Sequence, residues 1–205
     1  MKTVIINASP KTESGASTRI ASILMKFLTK ETDCLLLSAS SSSEKIAQEL
    51  KDAKAVIWVF PLYVDSIPSH LLALMEKLGP QIFGQGINPM VYAVINCGFW
   101  EAAHNRLALD QMRYFADQAH LPWGSAVALG GGGATEIGPL WLFHRNMTKA
   151  MAHLASQVLQ SQSGPDVMVE INLPRPLYKL AANLRWRFLA FQNGLAQKDL
   201  FRRPQ

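Results

Sequence analysis

Residues 3–18, with the sequence TVIINASPKTESGAST, join a strand to the start of a helix and decide the fold. Thr3–Ala8 is a short apolar and β-branched run, which is typical of a buried strand. A polar loop, Ser9–Thr18, follows, and Arg19–Leu28 then repeats apolar residues at helical spacing. The first N–H groups of a helix lack intrahelical partners and the helix dipole favours negative charge there, so the pattern predicts an anion site.

The chemistry of this loop narrows the anion. The loop contains neither the G-x-x-x-x-G-K-[ST] pattern of a nucleotide triphosphate loop nor the G-x-G-x-x-G pattern of a dinucleotide site. It offers hydroxyls, among them Ser9, Ser17 and Thr18, together with Lys11 and the single glycine Gly15. Such donors with little fixed charge suit a monophosphate held without a metal. The alternative is that Ser17 or Thr18 only caps the helix.

Composition bounds the class of protein. A chain of 205 residues is expected to form one main domain with its own core. Two cysteines, Cys34 and Cys97, are too few for a disulfide framework or a cysteine-ligated cluster, which fits a reducing compartment. No apolar run reaches the length of a membrane span, and no signal-peptide pattern precedes the first strand. The expected location is the cytoplasm.

Short apolar runs alternate with helical patterns along the chain. This alternation predicts a parallel sheet covered on both faces, in three layers, and five strands favour a doubly wound sheet over a barrel. After the first strand and helix, the predicted strands are Cys34–Leu37, Ala55–Phe60, Met90–Asn96 and Ser125–Leu129, and the predicted helices are Glu44–Lys51, Pro68–Leu78, Ala102–Ala119 and Gly138–Gln160.

Ligands of doubly wound sheets bind beyond the carboxyl ends of the strands. Besides the first loop, the loops there are Pro61–Ser66, Cys97–Glu101 and the four glycines of Gly130–Gly133. Tyr63 and Phe99 supply rings, and glycines allow close backbone approach, so we expect a flat aromatic ligand. For each ring taken singly, ordinary packing is the alternative; their shared position favours a site.

Three motifs in register resemble a known family. INASPKTESGAST (Ile6–Thr18), VFPLYVDSIPSHLLALMEKL (Val59–Leu78) and NCGFWE (Asn96–Glu101) are similar to motifs of the flavodoxin-like NADPH-dependent FMN reductases. The resemblance covers roughly residues 1–160 and is to the oxidoreductase branch that carries a longer C-terminal tail. It implies a flavodoxin-like fold with FMN bound noncovalently.

The resemblance also assigns residues to the cofactor. The first loop corresponds to the loop for the FMN phosphate, and the second and third loops correspond to those on either side of the isoalloxazine. Since the flavin carries the hydride, the resemblance implies no catalytic side chain and no metal. The predicted cofactor-binding residues are Ser9, Lys11, Ser17 and Thr18 in the first loop, Pro61, Leu62, Tyr63 and Val64 in the second, and Asn96, Cys97, Gly98 and Phe99 in the third.

The function implied is an oxidoreductase that uses NAD(P)H and FMN. Electrons would pass to a small-molecule acceptor such as a quinone, an azo or nitro compound, or free flavin, and the family resemblance implies a homodimer. The alternative is an FMN-binding electron carrier or redox-sensing interaction protein without turnover. The body of the chain is neutral overall, whereas carriers tend to be strongly charged, which favours the enzyme.

Other reactive residues point to no second chemistry. Cys97 stands at a strand end, but free cysteine is often a small buried hydrophobe, and a reactive thiol needs a positive partner. The five histidines are scattered without the spacing of metal ligands. Asp65 and Glu101 flank the predicted site, where capping of the following helices is the favoured role.

The whole net charge of +5 resides in a C-terminal segment. Residues 170–205 contain seven basic and two acidic side chains, so we divide the chain into a flavodoxin-like domain, 1–165, and a basic helical extension, 166–205. Leu177, Leu184 and Phe188 belong to an amphipathic pattern that Asn193-Gly194 ends. Packing on its own domain or on a partner subunit is the favoured role. An anionic membrane surface is second, and nucleic acid is not expected as a partner.

Overall fold

A six-stranded parallel sheet lies at the centre of the fold. The computed structural model describes residues 2–11, 15–28, 33–82, 86–133, 145–196 and 199. The strands are β1 (Lys2–Asn7), β2 (Asp33–Ser38), β3 (Ala55–Pro61), β4 (Met90–Asn96), β5 (Trp123–Leu129) and β6 (Val167–Val169). Their order is β2-β1-β3-β4-β5-β6, and every neighbouring pair is parallel.

Within the described ranges, helices lie between the strands and after the last one. They are α1 (Ala16–Leu28), α2 (Ser43–Leu50), α3 (Ser69–Ile82), α4 (Arg106–Gln118), α5 (Arg145–Gln160) and α6 (Arg175–Gln192), with a 3₁₀ helix at Ala102–Asn105 before α4. Ser42 caps α2, since its side chain accepts a hydrogen bond from the Lys45 backbone N–H. By their contacts the residues form two compact units, Met1–Ile171 and Asn172–Gln205.

The strand order reverses between β1 and β3. From β1 the chain moves to the β2 edge, and it then crosses to the other side of β1 to form β3. In register, Asn7 pairs with Val59, Pro61 with Asn96, and Asn96 with Leu129, so the carboxyl ends of β1, β3, β4 and β5 lie side by side. Such a reversal opens a crevice, which is where ligands of doubly wound sheets bind.

Both faces of the sheet are buried. One hydrophobic cluster joins Val4, Trp58 and Ile95 to the helices on one side, including Leu71 of α3. A second joins the opposite side chains of the same strands to α1 and α5, with Leu24 as a member. The predicted α/β architecture with a parallel sheet is therefore confirmed. Because helices cover both faces of the sheet, its strands are apolar along their whole length.

The prediction of five strands is wrong by one. Val167–Val169 pairs in parallel with Val127–Leu129 at the outer edge of β5. Three partly buried residues are too few to display a period, so only the pairing with β5 identifies them as a strand. The sheet thus continues past the boundary expected at residue 165.

Helix bounds differ from the prediction in several places. α1 begins three residues early, at Ala16, and the predicted helix Ala102–Ala119 is a 3₁₀ helix up to Asn105 followed by α4. α3 runs on through Pro80 to Ile82 rather than stopping at Leu78, because Leu78 and Ile82 are both buried in the core. The predicted helix 138–160 begins in residues that lie outside the described ranges, and α5 is described from Arg145.

Tyr92 provides a test of core packing. Burial raises the pKa of Tyr92 to about 12, so its hydroxyl stays protonated and donates to the carbonyls of Gln157 (3.2 Å) and Gln162 (3.0 Å). A Cβ added at Gly124 would overlap the Tyr92 ring, which these contacts hold in place, whereas one added at Gly98 would meet no atom within 4 Å.

We therefore expect Gly124→Ala to lower the free energy of unfolding by about 1–3 kcal/mol, as overpacking does. Gly98→Ala adds the same methyl group in open space and should leave the free energy of unfolding unchanged. Urea denaturation of both variants measures the difference. Equal midpoints for the two variants would contradict the described packing of Tyr92.

Candidate functional site

The first loop folds back onto the start of α1. The Ser9 N–H donates to Asn7 Oδ1 (3.1 Å), and the Lys11 N–H donates to Ser9 Oγ (3.2 Å). The Thr18 hydroxyl donates to the Lys11 carbonyl at 3.3 Å. A Cβ at Gly15 would lie 3.0 Å from both Ser9 Oγ and the Lys11 carbonyl oxygen, so this turn is tight around glycine. The result is a compact polar loop at the N-terminus of a helix.

The four predicted residues of this loop differ in exposure. Lys11 is exposed and Thr18 is partly exposed, so both side chains reach the solvent. Ser9 and Ser17 are buried, and Ser17 is only 1% exposed. Residues 12–14 of the same loop lie outside the described ranges.

Asn96 joins three elements at the carboxyl edge of the sheet. Its buried side-chain amide donates to Ser17 Oγ of α1 (2.8 Å) and to the Phe60 carbonyl of β3 (3.0 Å). Its backbone carbonyl accepts from the Leu62 N–H at 2.7 Å. One asparagine therefore links the first, second and third predicted loops.

The second loop contains a strained turn. Tyr63 and Ser66 exchange two backbone hydrogen bonds of 3.0 Å, and the two residues between them, Val64 and Asp65, have φ angles of 50° and 57°. A left-handed conformation is unusual for a β-branched residue and costs about 1–3 kcal/mol. Val64 is also 99% exposed, so the strained turn holds an apolar side chain in solvent. Strain of this kind clusters at ligand sites.

Two predicted aromatic residues are exposed at the strand ends. Tyr63 and Phe99 each have roughly half of their surface accessible. The Phe99 ring lies 4.3 Å from the His104 ring, tilted by 31°. Packing therefore covers only part of each ring, which leaves apolar surface for a ligand.

The thiol of Cys97 is buried. Its Sγ donates to the carbonyls of Phe99 and Glu101, both at 3.6 Å, and accepts from Asn105 Nδ2 at 3.5 Å. Burial is the main cause that raises the pKa of Cys97. Its N–H donates to the Leu129 carbonyl, and its carbonyl accepts from the Gly132 N–H. The role assigned to Cys97 from the sequence stays a prediction, and its thiol and backbone hold the loop.

Most of the glycine run packs against protein. A Cβ at Gly130 would overlap the Trp100 carbonyl oxygen, and one at Gly131 would overlap the side chain of Ile171, which follows β6. The close approach that these two glycines allow is therefore to other parts of the protein. Open space lies at Gly98 in the third loop and at Gly133 at the end of the run, where a Cβ would meet nothing within 4 Å.

Three more polar residues at this edge were not identified by the sequence analysis. Asn7 donates to Thr18 Oγ1 at 3.0 Å, His70 Nε2 lies 3.0 Å from the Ala8 carbonyl oxygen, and Asn105 Nδ2 donates to the Leu129 carbonyl at 3.1 Å. Asn7, like Asn96, is a polar residue at the end of an apolar strand, and that signal could have identified it. His70 and Asn105 carry no such signal, because their partners are distant in sequence.

A groove of about 810 Å³ runs between α3 and α4 and begins at the strained turn. Val64, Leu72 and Tyr114 line it with apolar surface. Gln111 of α4 fixes the turn at this end, since its Oε1 accepts from Ser66 Oγ (3.0 Å) and from the Ile67 N–H (3.1 Å). No residue of the first loop lines the groove, so the groove does not include the predicted phosphate site.

The described part of the chain has neither a cluster of metal ligands nor a helix able to span a membrane. Among those residues, no three His, Cys, Asp or Glu side chains lie close enough to hold a metal ion. None of the described helices combines the length and the apolarity that crossing a bilayer requires.

Several solved structures share this fold. An FMN-dependent NADH-azoreductase from Bacillus anthracis, in complex with FMN, has a TM-score of 0.61 and 15% identity, over 78% of this chain and 100% of that one. A flavodoxin from Streptococcus pneumoniae TIGR4 has a TM-score of 0.59 and 13% identity, over 78% and 99%. An NADPH-quinone reductase from P. pentosaceus has a TM-score of 0.54 and 17% identity, over 77% and 96%.

These likenesses establish the class of fold as flavodoxin-like. Neither a family model nor a curated protein matches the sequence. The neighbours include azoreductases, a quinone reductase and a flavodoxin, which is consistent with the resemblance of the three motifs to the FMN reductases.

The Asn96–Ser17 hydrogen bond can be tested by a double-mutant cycle. We expect Asn96→Ala to lower the free energy of unfolding by about 1–3 kcal/mol, because the buried Phe60 carbonyl and Ser17 hydroxyl lose a donor. In the cycle with Ser17→Ala, the two effects should fall short of additivity by about 1 kcal/mol, since each variant breaks the same bond. Additive effects in chemical denaturation would show that this bond contributes nothing.

The cysteines yield a prediction on reactivity. Burial, with a smaller effect of Asp33, raises the pKa of Cys34 to about 11, and burial raises that of Cys97. Since the thiolate reacts, we expect Cys34 to react with Ellman's reagent at pH 8 about a hundredfold more slowly than an ordinary thiol, with the rate rising towards pH 11. Both thiols should react quickly in urea. Fast labelling of Cys97 in the native protein would contradict its burial.

Proposed function

We propose that this protein is an FMN-dependent NAD(P)H oxidoreductase. Bound FMN would take hydride from the nicotinamide and give electrons to an acceptor such as a quinone, an azo or nitro compound, or free flavin. The observation that carries the proposal is the junction at Asn96, which ties a phosphate-type loop to two loops with exposed rings at the switch point of the sheet. FMN-dependent and NADPH-dependent reductases among the structural neighbours add support.

The first loop supplies the donors for the phosphate. Lys11 offers a flexible charge and Thr18 a hydroxyl at the N-terminus of α1, where the helix dipole favours an anion. Buried Ser9 and Ser17 shape the loop from beneath, through Lys11 and Asn96. The proposed roles therefore divide into direct contact for the exposed pair and positioning for the buried pair.

The second and third loops would hold the flat ring between them. Val64 and Tyr63 present apolar surface on one side, and Phe99 presents it on the other. Gly98 leaves the backbone open to close approach. Pro61, Leu62 and Asn96 set the spacing of the two loops through the β3–β4 pairing and the Leu62–Asn96 hydrogen bond.

No side chain of the described site needs to transfer a proton in this proposal. The Cys97 thiol is buried and its pKa is raised, which keeps it protonated. His70 contacts the Ala8 carbonyl, and His104 stacks on Phe99, so both have positioning roles. The protein would supply placement and backbone dipoles.

Flavin titration and anaerobic reduction test the proposal. FMN added to the purified protein should show a shifted absorbance band near about 450 nm and quenched fluorescence, and NADPH or NADH should then bleach the band. Added quinone or azo compound should restore it with turnover. Absence of FMN binding would overturn the proposal. Binding without bleaching would favour the electron carrier.

Gly98→Ala separates the ligand site from the fold. Because the added methyl group meets no protein atom, the stability of the apoprotein should not change, while FMN affinity should fall about tenfold or more as the group intrudes on the ring. Gly133→Ala adds the same methyl group in open space outside the predicted residues and is the matched control. Equal FMN affinities for both variants would place the ring elsewhere.

We also propose that the protein is a homodimer located in the cytoplasm. Sedimentation measures the oligomeric state, fractionation measures the location, and steady-state kinetics measure the preference for NADH or NADPH. The acceptor is proposed only as a class.

A further inference from the structure

An apolar stripe runs along α6 and is exposed in the structure. Its side chains are between 52% and 78% accessible, although large apolar side chains usually find cover in a folded protein. The more buried positions of α6, such as Leu189 and Ala190, lie outside the stripe. The stripe consists of Leu177, Leu180, Leu184, Phe188 and Phe191.

The stripe is narrow and continuous. With about 100° of rotation per residue, its five members fall within an arc of about 80°. Ala181 borders the stripe without adding a polar atom, and Leu195, also exposed, follows just beyond the helix end. A surface of this shape suits a helix that lies flat on an apolar layer.

Charge surrounds the stripe on both sides. Arg185 and Arg187 fall about 80° from Leu177 in opposite directions, and Arg175 and Lys179 lie on the far side of the helix. No acidic residue occurs from 171 to 198 in the sequence, and Lys198, Arg202 and Arg203 follow in residues outside the described ranges. Long basic side chains beside an apolar stripe can reach an anionic layer while the stripe enters the apolar one.

We propose that α6 binds the surface of a membrane that contains anionic lipids. The apolar stripe would enter the boundary between headgroups and acyl chains, and the flanking arginines would pair with lipid phosphates. The helix would lie on the surface, because it does not combine the length and the apolarity needed to cross a bilayer.

Charge favours this occupant over a second copy or a nucleic acid. Two α6 stripes packed face to face would bring Arg185 and Arg187 of both copies together with no acidic partner on either helix. A nucleic acid offers phosphates but nothing for five large apolar side chains. An anionic lipid surface matches both the charge and the stripe.

Co-sedimentation of the full-length protein with lipid vesicles tests the proposal. We expect the protein to pellet with vesicles of phosphatidylglycerol and phosphatidylcholine in equal parts and to stay in solution with phosphatidylcholine alone. Raising the salt concentration should weaken the binding, as for any screened attraction. These readouts need no flavin, so their outcome is independent of the proposed function.

Two pairs of variants separate the stripe from the charge. Leu184→Asp places a charge in the stripe, while Asn183→Asp adds the same charge at the neighbouring position outside it. We expect Leu184→Asp to weaken vesicle binding about tenfold more than the control does, because a buried leucine contributes that much. Arg185→Gln with Arg187→Gln should abolish the preference for anionic vesicles while leaving the helix intact.

The vesicle and sedimentation results either support or overturn membrane binding by α6. Binding that depends on anionic lipid, on Leu184 and on the arginines would support it. Equal binding of the Leu184→Asp and Asn183→Asp variants, or none with anionic vesicles, would overturn it. If Leu184→Asp instead converts a dimer into a monomer in sedimentation and vesicles have no effect, a second copy covers the stripe and the proposal is wrong.

Discussion

The hydrogen bonds of the Asn96 side chain are the interaction on which the candidate site depends. A buried amide must find partners, and here one amide nitrogen satisfies both the Ser17 hydroxyl and the Phe60 carbonyl. The end of β4, the end of β3 and the first turn of α1 are thereby held together. Asn7 makes a similar link between β1 and Thr18. Three loops that are far apart in sequence become one surface because the sheet aligns their strands and these two asparagines fix their ends.

The sequence predicted those elements whose structure depends on neighbouring residues. Continuous apolar runs predicted β1, β3 and β4, since strands buried on both faces must read that way. It failed for β6, whose three residues become a strand only through pairing with β5. In the site, the position of Asn96 was predicted but its bond to Ser17, 79 residues away, was not. For the same reason the burial of Ser17 beside Asn96 was not predicted, and its role toward a ligand stays a prediction.

The candidate flavin site and the excess positive charge lie in different parts of the chain. The unit Met1–Ile171 contains the described sheet and the candidate flavin site, and residues 1–169 are neutral overall. The unit Asn172–Gln205 contains α6 and all seven of the basic residues that give the chain its excess of positive charge. A neutral body suits the proposed exchange of small uncharged acceptors, whereas a basic helix with an exposed stripe suits the proposed attachment to a surface. The two proposals therefore explain different parts of the molecule and fail independently.

The proposed function requires that the three loops form a single FMN site. Hydrogen–deuterium exchange with and without saturating FMN measures this most directly, because backbone protection is read for each loop separately. A single site would slow exchange in residues 9–18, 61–66 and 97–101 together and leave α6 unchanged. Protection confined to the groove between α3 and α4, or absent from the first loop, would contradict it.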